Sequence, residues 1–188
     1  MWTQDEIKAY LKNNLKESRY KHTLGVVETA IRLSDIYNCS KEKAIYAALI
    51  HDVAKYESDE RLIEICTGKG YKIGTIEKKS PYLLHGLAGA IIAKEKMGIN
   101  DEDILNAAIY HTTGRENMTL LEKIIYIADC IEPNRVFLGV EELRIITFDN
   151  LDDGILRSLD DNIKFIIDRG LLLHENTIKA RNYLIDFK

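Results

Sequence analysis

Four of the five histidines, His22, His51, His85 and His111, together with Asp52 and Asp129, fall in segments that otherwise read as buried faces of helices. His51 and Asp52 are adjacent in "LIHDVAK", on a stretch whose Ala44, Ala47, Ala48 and Ala54 are small enough to let other helices come close. His22 stands in "RYKHTLGV", three residues before Gly25, where a missing side chain admits another backbone or a ligand. His85 lies in "YLLHGLAGA", His111 closes "ILNAAIYHTTG", and Asp129 is embedded in "IIYIADCI". Each has an ordinary explanation by itself, since a lone helical histidine is usually a hydrogen-bonded core or surface residue. Together they do not, because burying this many polar groups without a shared partner costs about 1–3 kcal/mol apiece. A metal ion is the partner that removes the cost. Nitrogen and carboxylate donors without cysteine suit iron, manganese, cobalt or zinc used catalytically better than a structural zinc site, and the donor set points to hydrolysis.

Helices must position these groups, because helical spacing dominates and no alternating apolar-polar stretch is long enough for a sheet. "TQDE" at 3–6 and "TLLE" at 119–122 are Thr-x-x-Glu capping boxes, Ser80-Pro81 is a further start, and Asn100 with Asp103 opens another. Gly68, Gly98 and Gly170 sit where carboxy-terminal caps belong. The expected helices span 3–15, 18–37, 40–56, 58–67, 81–97, 101–111, 119–131, 139–147, 152–169 and 175–186, an all-α bundle forming one domain over 1–188. A helix over 40–56 puts His51 and Lys55 on one face, with Asp52 beside them. The segment 68–81 reads as a surface loop bordering a site.

Hydrophobic residues make up 46% and charged ones 30% of the 188 residues, so a folded core is expected. A formal net charge of -4 argues against bulk electrostatic binding of nucleic acid but leaves room for a small anion held by local cations. Three widely spaced cysteines argue against a disulfide framework or a CxxC zinc knuckle, and neither a signal-peptide pattern nor a membrane-length apolar run is present. A cytoplasmic protein with no membrane partner is therefore expected. The carboxy-terminal "NYLIDFK" either completes the core or pairs with a second copy in a homodimer.

The motifs "RYKHTLGV", "HDVAK", "HGLAGA", "YHTTG" and "YIADCIEPNR", in this order, resemble those of the HD superfamily of metal-dependent phosphohydrolases, and of its YqeK subfamily in particular. The resemblance covers roughly residues 18–136, with a weaker echo in "GLLLHENTIKARN". It implies an HD-domain helical bundle that cleaves dinucleoside tetraphosphates symmetrically, diadenosine tetraphosphate giving two ADP. It makes His22, His51, Asp52 and Asp129 the primary ligands of one or two transition-metal ions, iron first and manganese or cobalt as alternatives, with Asp52 able to bridge two ions. His85 and His111 either complete a second metal site or hydrogen-bond the substrate phosphates. Leu172, Leu173, His174, Glu175, Asn176 and Thr177 are expected to line the nucleoside pocket; Glu175 stands where many relatives carry proline. His174 is not expected to be a ligand.

In this reading Asp52 orients the attacking water or accepts its proton, with His51 beside it in the catalytic pair. Lys55 and Arg135 are candidate phosphate clamps, Arg135 by its planar fork, and Thr112 a candidate hydroxyl donor. Action on nucleoside monophosphates or cyclic nucleotides, and nucleotide binding without turnover, are the competing readings.

Overall fold

The computed structural model describes residues 1–187. Its helices are α1 (Gln4–Asn14), α2 (Glu17–Tyr37), α3 (Lys41–Ile50), α4 (Asp59–Gly68), α5 (Thr75–Lys79), α6 (His85–Met97), α7 (Glu102–Tyr110), α8 (Leu120–Ile131), α9 (Val140–Asp149), α10 (Leu151–Asp168) and α11 (Glu175–Asp186); a 3₁₀ turn, Pro81–Leu84, leads into α6. No strand occurs among the described residues. No helix among them is long and apolar enough to cross a membrane.

Local chemistry sets the helix starts. Thr3 and Thr119 form reciprocal capping boxes with Glu6 and Glu122, as their spacing predicts. Asp101, rather than Asn100, caps α7, its carboxylate accepting from the amides of Asp103 and Ile104. At the carboxy-terminal ends, Gly98 takes the left-handed conformation after α6, whereas Gly68 remains inside α4 and the left-handed role passes to Gly70.

The core forms where α2, α3, α7 and α8 meet. Leu33 of α2, Leu49 and Ile50 of α3, and Ile124, Ile125 and Ile127 of α8 are fully buried in it. The alanines of α3 and α7 are buried as well, so these helices approach closely without large side chains between them. Gly86 extends this closeness: a Cβ there would lie 2.6 Å from the Ala108 carbonyl oxygen and 2.8 Å from that of Ile109. Its absence lets the start of α6 rest on the end of α7, which sets His85 beside His111.

Three expected elements differ. The helix predicted over 40–56 ends at Ile50, and residues 51–56 follow as successive turns, with Val53 donating to Ile50, Lys55 to Asp52 and Glu57 to Ala54. These i to i+3 bonds tighten the chain; no glycine or proline marks the change, and the apolar spacing of Val53 and Ala54 continues the helical pattern. The predicted loop 68–81 contains α5, and the helix expected from residue 81 begins as the 3₁₀ turn. In the stretch 182–188, Leu184 completes the core while Phe187 is exposed; Lys188 lies outside the described residues.

Candidate metal centre

Three of the four clustered histidines sit at helix ends. His51 caps α3, His111 caps α7, and His85 caps the 3₁₀ turn while opening α6. Each turns its Nδ1 back onto the carbonyl three residues earlier: His51 to Ala48 at 2.6 Å, His85 to Tyr82 at 2.6 Å and His111 to Ala108 at 2.7 Å. A carbonyl only accepts, so Nδ1 carries the proton and Nε2 presents a lone pair. His22, within α2, does the same through the buried carboxylate of Glu132, 3.0 Å from its Nδ1. Fixing the tautomer from behind in this way is the usual arrangement for imidazoles that bind a metal.

The freed faces converge. His22 Nε2 is 3.0 Å from Asp129 Oδ1, His51 Nε2 is 3.3 Å from Asp52 Oδ2, and His85 Nε2 is 3.1 Å from Asp52 Oδ1. His85 and His111 bring their Nε2 atoms within 3.0 Å of each other. Two overlapping groups emerge, His22, His51 and Asp129, and His51, Asp52 and His111, whose ligand atoms within each group all lie within 4.8 Å of one another. Despite the short distances, His22 Nε2, His51 Nε2 and Asp52 Oδ1 are buried without a hydrogen-bond partner. Such orphaned atoms cost free energy unless a cation completes them. The nitrogen and oxygen donor set, the prearranged lone pairs and the orphaned atoms therefore all fit a divalent transition-metal ion.

Electrostatics agree. Burial raises the Asp52 carboxyl, but His51, His85 and Lys55 outweigh it and hold the group well below the ordinary carboxylate range. Burial likewise raises Asp129, and contact with His22, then the fields of His51 and Arg135, bring it below that range. For His51, burial acts downward while Asp52 and Asp129 raise the pKa on balance. Burial, reinforced by repulsion from His85 and His51, lowers His111 to about 3, so its ring is neutral at neutral pH.

The cations and hydroxyl expected around the cluster are also in place. Arg135 donates from Nε to the Asp129 carbonyl at 2.8 Å and from Nη2 to Asp129 Oδ1 at 2.6 Å. Lys55 Nζ reaches to 3.2 Å from His85 Nε2 and 3.6 Å from Asp52 Oδ1, brought there by the turns after α3 and not by a shared helical face. Thr112 Oγ1 is 3.1 Å from His111 Nε2. In segment 172–177, His174 caps α11 through the Asn176 amide, and its Nε2 faces Glu77 of α5 at 3.2 Å. Leu172 is exposed and Thr177 is buried beneath α11.

Two participants escaped the sequence reading. Arg19 donates to Asp52 Oδ2 at 2.7 Å, and Glu132 supports His22 from 110 positions away. Arg19 had one available signal, its position three residues before His22 on the same helix face. Gly25 makes the Glu132 contact possible, since a Cβ there would stand 2.3 Å from Glu132 Oε2.

A helical bundle that turns imidazoles and carboxylates onto a common centre has the makings of a metal-dependent hydrolase. The chain belongs to the HD domain family, whose model matches residues 19–134. It is 37% identical over 182 residues to a protein of Bacillus subtilis named bis(5'-nucleosyl)-tetraphosphatase, symmetrical, with 97% of each chain covered. A protein of the same name from Halalkalibacterium halodurans is 41% identical over 175 residues, with 93% of each covered. Among solved structures, a predicted HD superfamily hydrolase involved in NAD metabolism from Clostridium acetobutylicum is 58% identical and superposes with a TM-score of 0.98 over the whole of both chains.

Proposed function

We propose that this chain is a symmetrical dinucleoside tetraphosphatase, acting as one domain over residues 1–188 and converting diadenosine tetraphosphate and water into two ADP. The observation that carries hydrolysis is the convergence of prearranged imidazole and carboxylate atoms, several of them orphaned, on one centre. The substrate class rests on the full-length relatives that bear that name.

The proposed ligands are His22, His51, Asp52 and Asp129, with iron the preferred ion, manganese or cobalt as substitutes, and one or two ions bound. A bound divalent ion supplies a water of lowered pKa and screens charge on phosphoryl oxygens. Asp52, held ionised, would orient the attacking water or take up its proton, and His51, braced on the Ala48 carbonyl, would hold its Nε2 toward the centre. Arg135, Lys55 and Arg19 supply positive charge for the phosphates. Thr112 offers its hydroxyl to a phosphoryl oxygen; His85 and neutral His111 keep Nε2 lone pairs facing the centre. The water oxygen bonds to one of the two central phosphorus atoms, the bridging oxygen leaves with the other ADP, and the proton is returned to solvent. Buried free Cys66, together with Cys39 and Cys130, supports a reducing, cytoplasmic setting.

Product analysis in ¹⁸O-labelled water tests the reading. Two ADP, one carrying the label on its terminal phosphate, is the expected result. ATP with AMP, or turnover restricted to AMP or cyclic nucleotides, refutes it.

A further inference from the structure

Segment 68–81, which joins α4 to the 3₁₀ turn, departs from the charge pattern around it. Many lysines of this chain are held by carboxylates, as Lys43 is by Asp101 and Asp103, Lys94 by Glu102 and Lys123 by Asp152. Lys72, Lys78 and Lys79 are exposed, and none of them makes an ion pair or side-chain hydrogen bond to the described residues. The one carboxylate of the segment, Glu77, is turned onto His174 instead. Exposed aromatic rings bracket this free positive charge, Tyr71 at 46% and Tyr82 at 53% exposure. Between them, Ile73 packs against the cluster that holds Leu62, Cys66 and Leu84. The backbone is thereby anchored while the charges and rings face outward.

This strip runs into the metal centre. Lys79 precedes His85 by only six positions, and the Tyr82 carbonyl is the brace that aims the His85 ring. Lys55 continues the positive charge inward, its Nζ 3.2 Å from His85 Nε2 and 3.6 Å from Asp52 Oδ1. Building on the tetraphosphatase reading above, we propose a further substrate for the same centre: an RNA strand whose 5′ end is joined to adenosine through a tetraphosphate. The strand lies along residues 71–82.

Free cations interleaved with exposed rings are what a single strand needs, since the cations track its phosphates and each base offers a π face for stacking. The chemistry permits the extension. Cleavage takes place at the central anhydride and touches neither 3′ hydroxyl, so one nucleoside can carry a strand on its 3′ oxygen without altering the reaction. RNA chains are started from a free nucleotide and keep its 5′ phosphates, whereas DNA chains are extended from primers, which selects RNA. Water adds its oxygen to one central phosphorus and the bridging oxygen leaves with the other. The products are ADP and an RNA bearing a 5′-diphosphate, with the released protons passing to solvent.

The net charge of -4 confines such binding to the strip and the centre, which favours the processing of one end over general RNA binding. A lipid surface fits less well. Membrane-seeking segments present apolar side chains at their tips. Here Ile73 and Ile76 are partly buried, and the exposed positions are lysine and tyrosine.

The test compares metal-loaded wild type with Lys72→Ala/Lys78→Ala/Lys79→Ala on diadenosine tetraphosphate and on an adenosine-tetraphosphate-capped RNA of about ten nucleotides. Wild type is expected to release ADP and 5′-diphosphate RNA. Between about 50 and 200 mM salt, its KM for the capped RNA is expected to rise about 20-fold more than its KM for diadenosine tetraphosphate, from three phosphate contacts with a slope of about 0.7 each. In the triple variant the KM for capped RNA is expected to be about tenfold higher at the lower salt, the excess salt dependence is lost, and diadenosine tetraphosphate kinetics are unchanged. Capped RNA left intact by an enzyme that cleaves diadenosine tetraphosphate overturns the proposal and leaves the tetraphosphatase reading standing. Equal KM values for capped RNA in the two proteins overturn it as well, as does a parallel loss of diadenosine tetraphosphate cleavage in the variant. Binding to phosphatidylserine vesicles that the variant loses, with its RNA kinetics intact, assigns the strip to a membrane and also overturns it. If wild type cleaves neither substrate, the tetraphosphatase reading fails by itself. Fluorescence anisotropy of the capped RNA then decides the strip, weaker binding by the variant supporting its role and equal binding refuting it.

Discussion

Substituting alanine for Gly25 sets helix propensity against a buried contact, and the two predict opposite signs. In the interior of α2, alanine is favoured over glycine by about 1 kcal/mol. The new Cβ, however, would stand 2.3 Å from Glu132 Oε2, and that carboxylate is tied on every side. It accepts from the Asn134 amide at 2.7 Å and the Asn134 side chain at 2.9 Å, and holds His22 Nδ1 at 3.0 Å. Ordinary contact requires the oxygen to retreat by roughly 1 Å, beyond the range over which all three bonds survive. A hydrogen bond to a charged group contributes about 1.5–3 kcal/mol, so losing one or two exceeds the propensity gain and leaves a net loss of about 0.5–5 kcal/mol. The assay is thermal and urea unfolding of metal-free protein, followed by a manganese titration, in which loosening the support of His22 weakens binding about 10- to 100-fold. In a Glu132→Ala background the oxygen is gone and only the freed end of the Asn134 side chain stands near the new Cβ, so Gly25→Ala becomes stabilising, giving a large coupling in the double-mutant cycle. If Gly25→Ala is about 1 kcal/mol more stable than wild type in both backgrounds, the account of Glu132 as the anchor of His22 is wrong.

Asp52→Ala is expected to lower kcat for diadenosine tetraphosphate by about 10³-fold or more while circular dichroism stays helical; near-normal turnover at saturating metal refutes its assigned role. Arg135→Lys removes a fork that grips both the carbonyl and the carboxylate of Asp129, and kcat/KM is expected to fall by about tenfold, measured by steady-state kinetics. For metal-free protein, unfolding midpoints are expected to drop as pH falls from about 6.5 toward 3. His111 has a folded pKa of about 3, below its unfolded value, so its contribution is complete above the unfolded pKa and is lost on acidification. The depressed carboxyls of Asp52 and Asp129 act in the same direction at the lower end of that window. Adding a tight-binding divalent ion at about 100 times its Kd is expected to raise stability by about 2.7 kcal/mol, read by calorimetry, and chelator reverses it.

Much of this fold was legible because its signals are local. Thr3 with Glu6 and Thr119 with Glu122 announce helix starts within four residues, and the apolar spacing of α8 needs no distant partner to be read. The histidines and aspartates of the centre were legible through their apolar surroundings, which make an uncompensated polar group conspicuous. The end of α3 was not, because Val53 and Ala54 preserve a helical pattern through turns that only the three-dimensional environment reveals. Glu132 and Arg19 were hidden for a related reason: their roles lie in contacts 110 and 33 positions away, and each looks locally like an ordinary charged residue. An apolar cavity beside Asp129 and Arg135 was equally silent, since Phe137 and Phe165, which line it, come from separate elements and only the packing of α9 and α10 brings them to one space.

Because His51, His85 and His111 each brace against the backbone of the preceding turn, every ring is aimed by its own segment and not by its neighbours. The aim of each donor is thus a local property, while the gap between donors belongs to the whole bundle. A substitution far from the centre that slides one helix along its axis will carry that nitrogen bodily with it, its direction preserved. Such changes should alter which ion fits well before they unfold the protein, making metal preference a ruler for helix spacing.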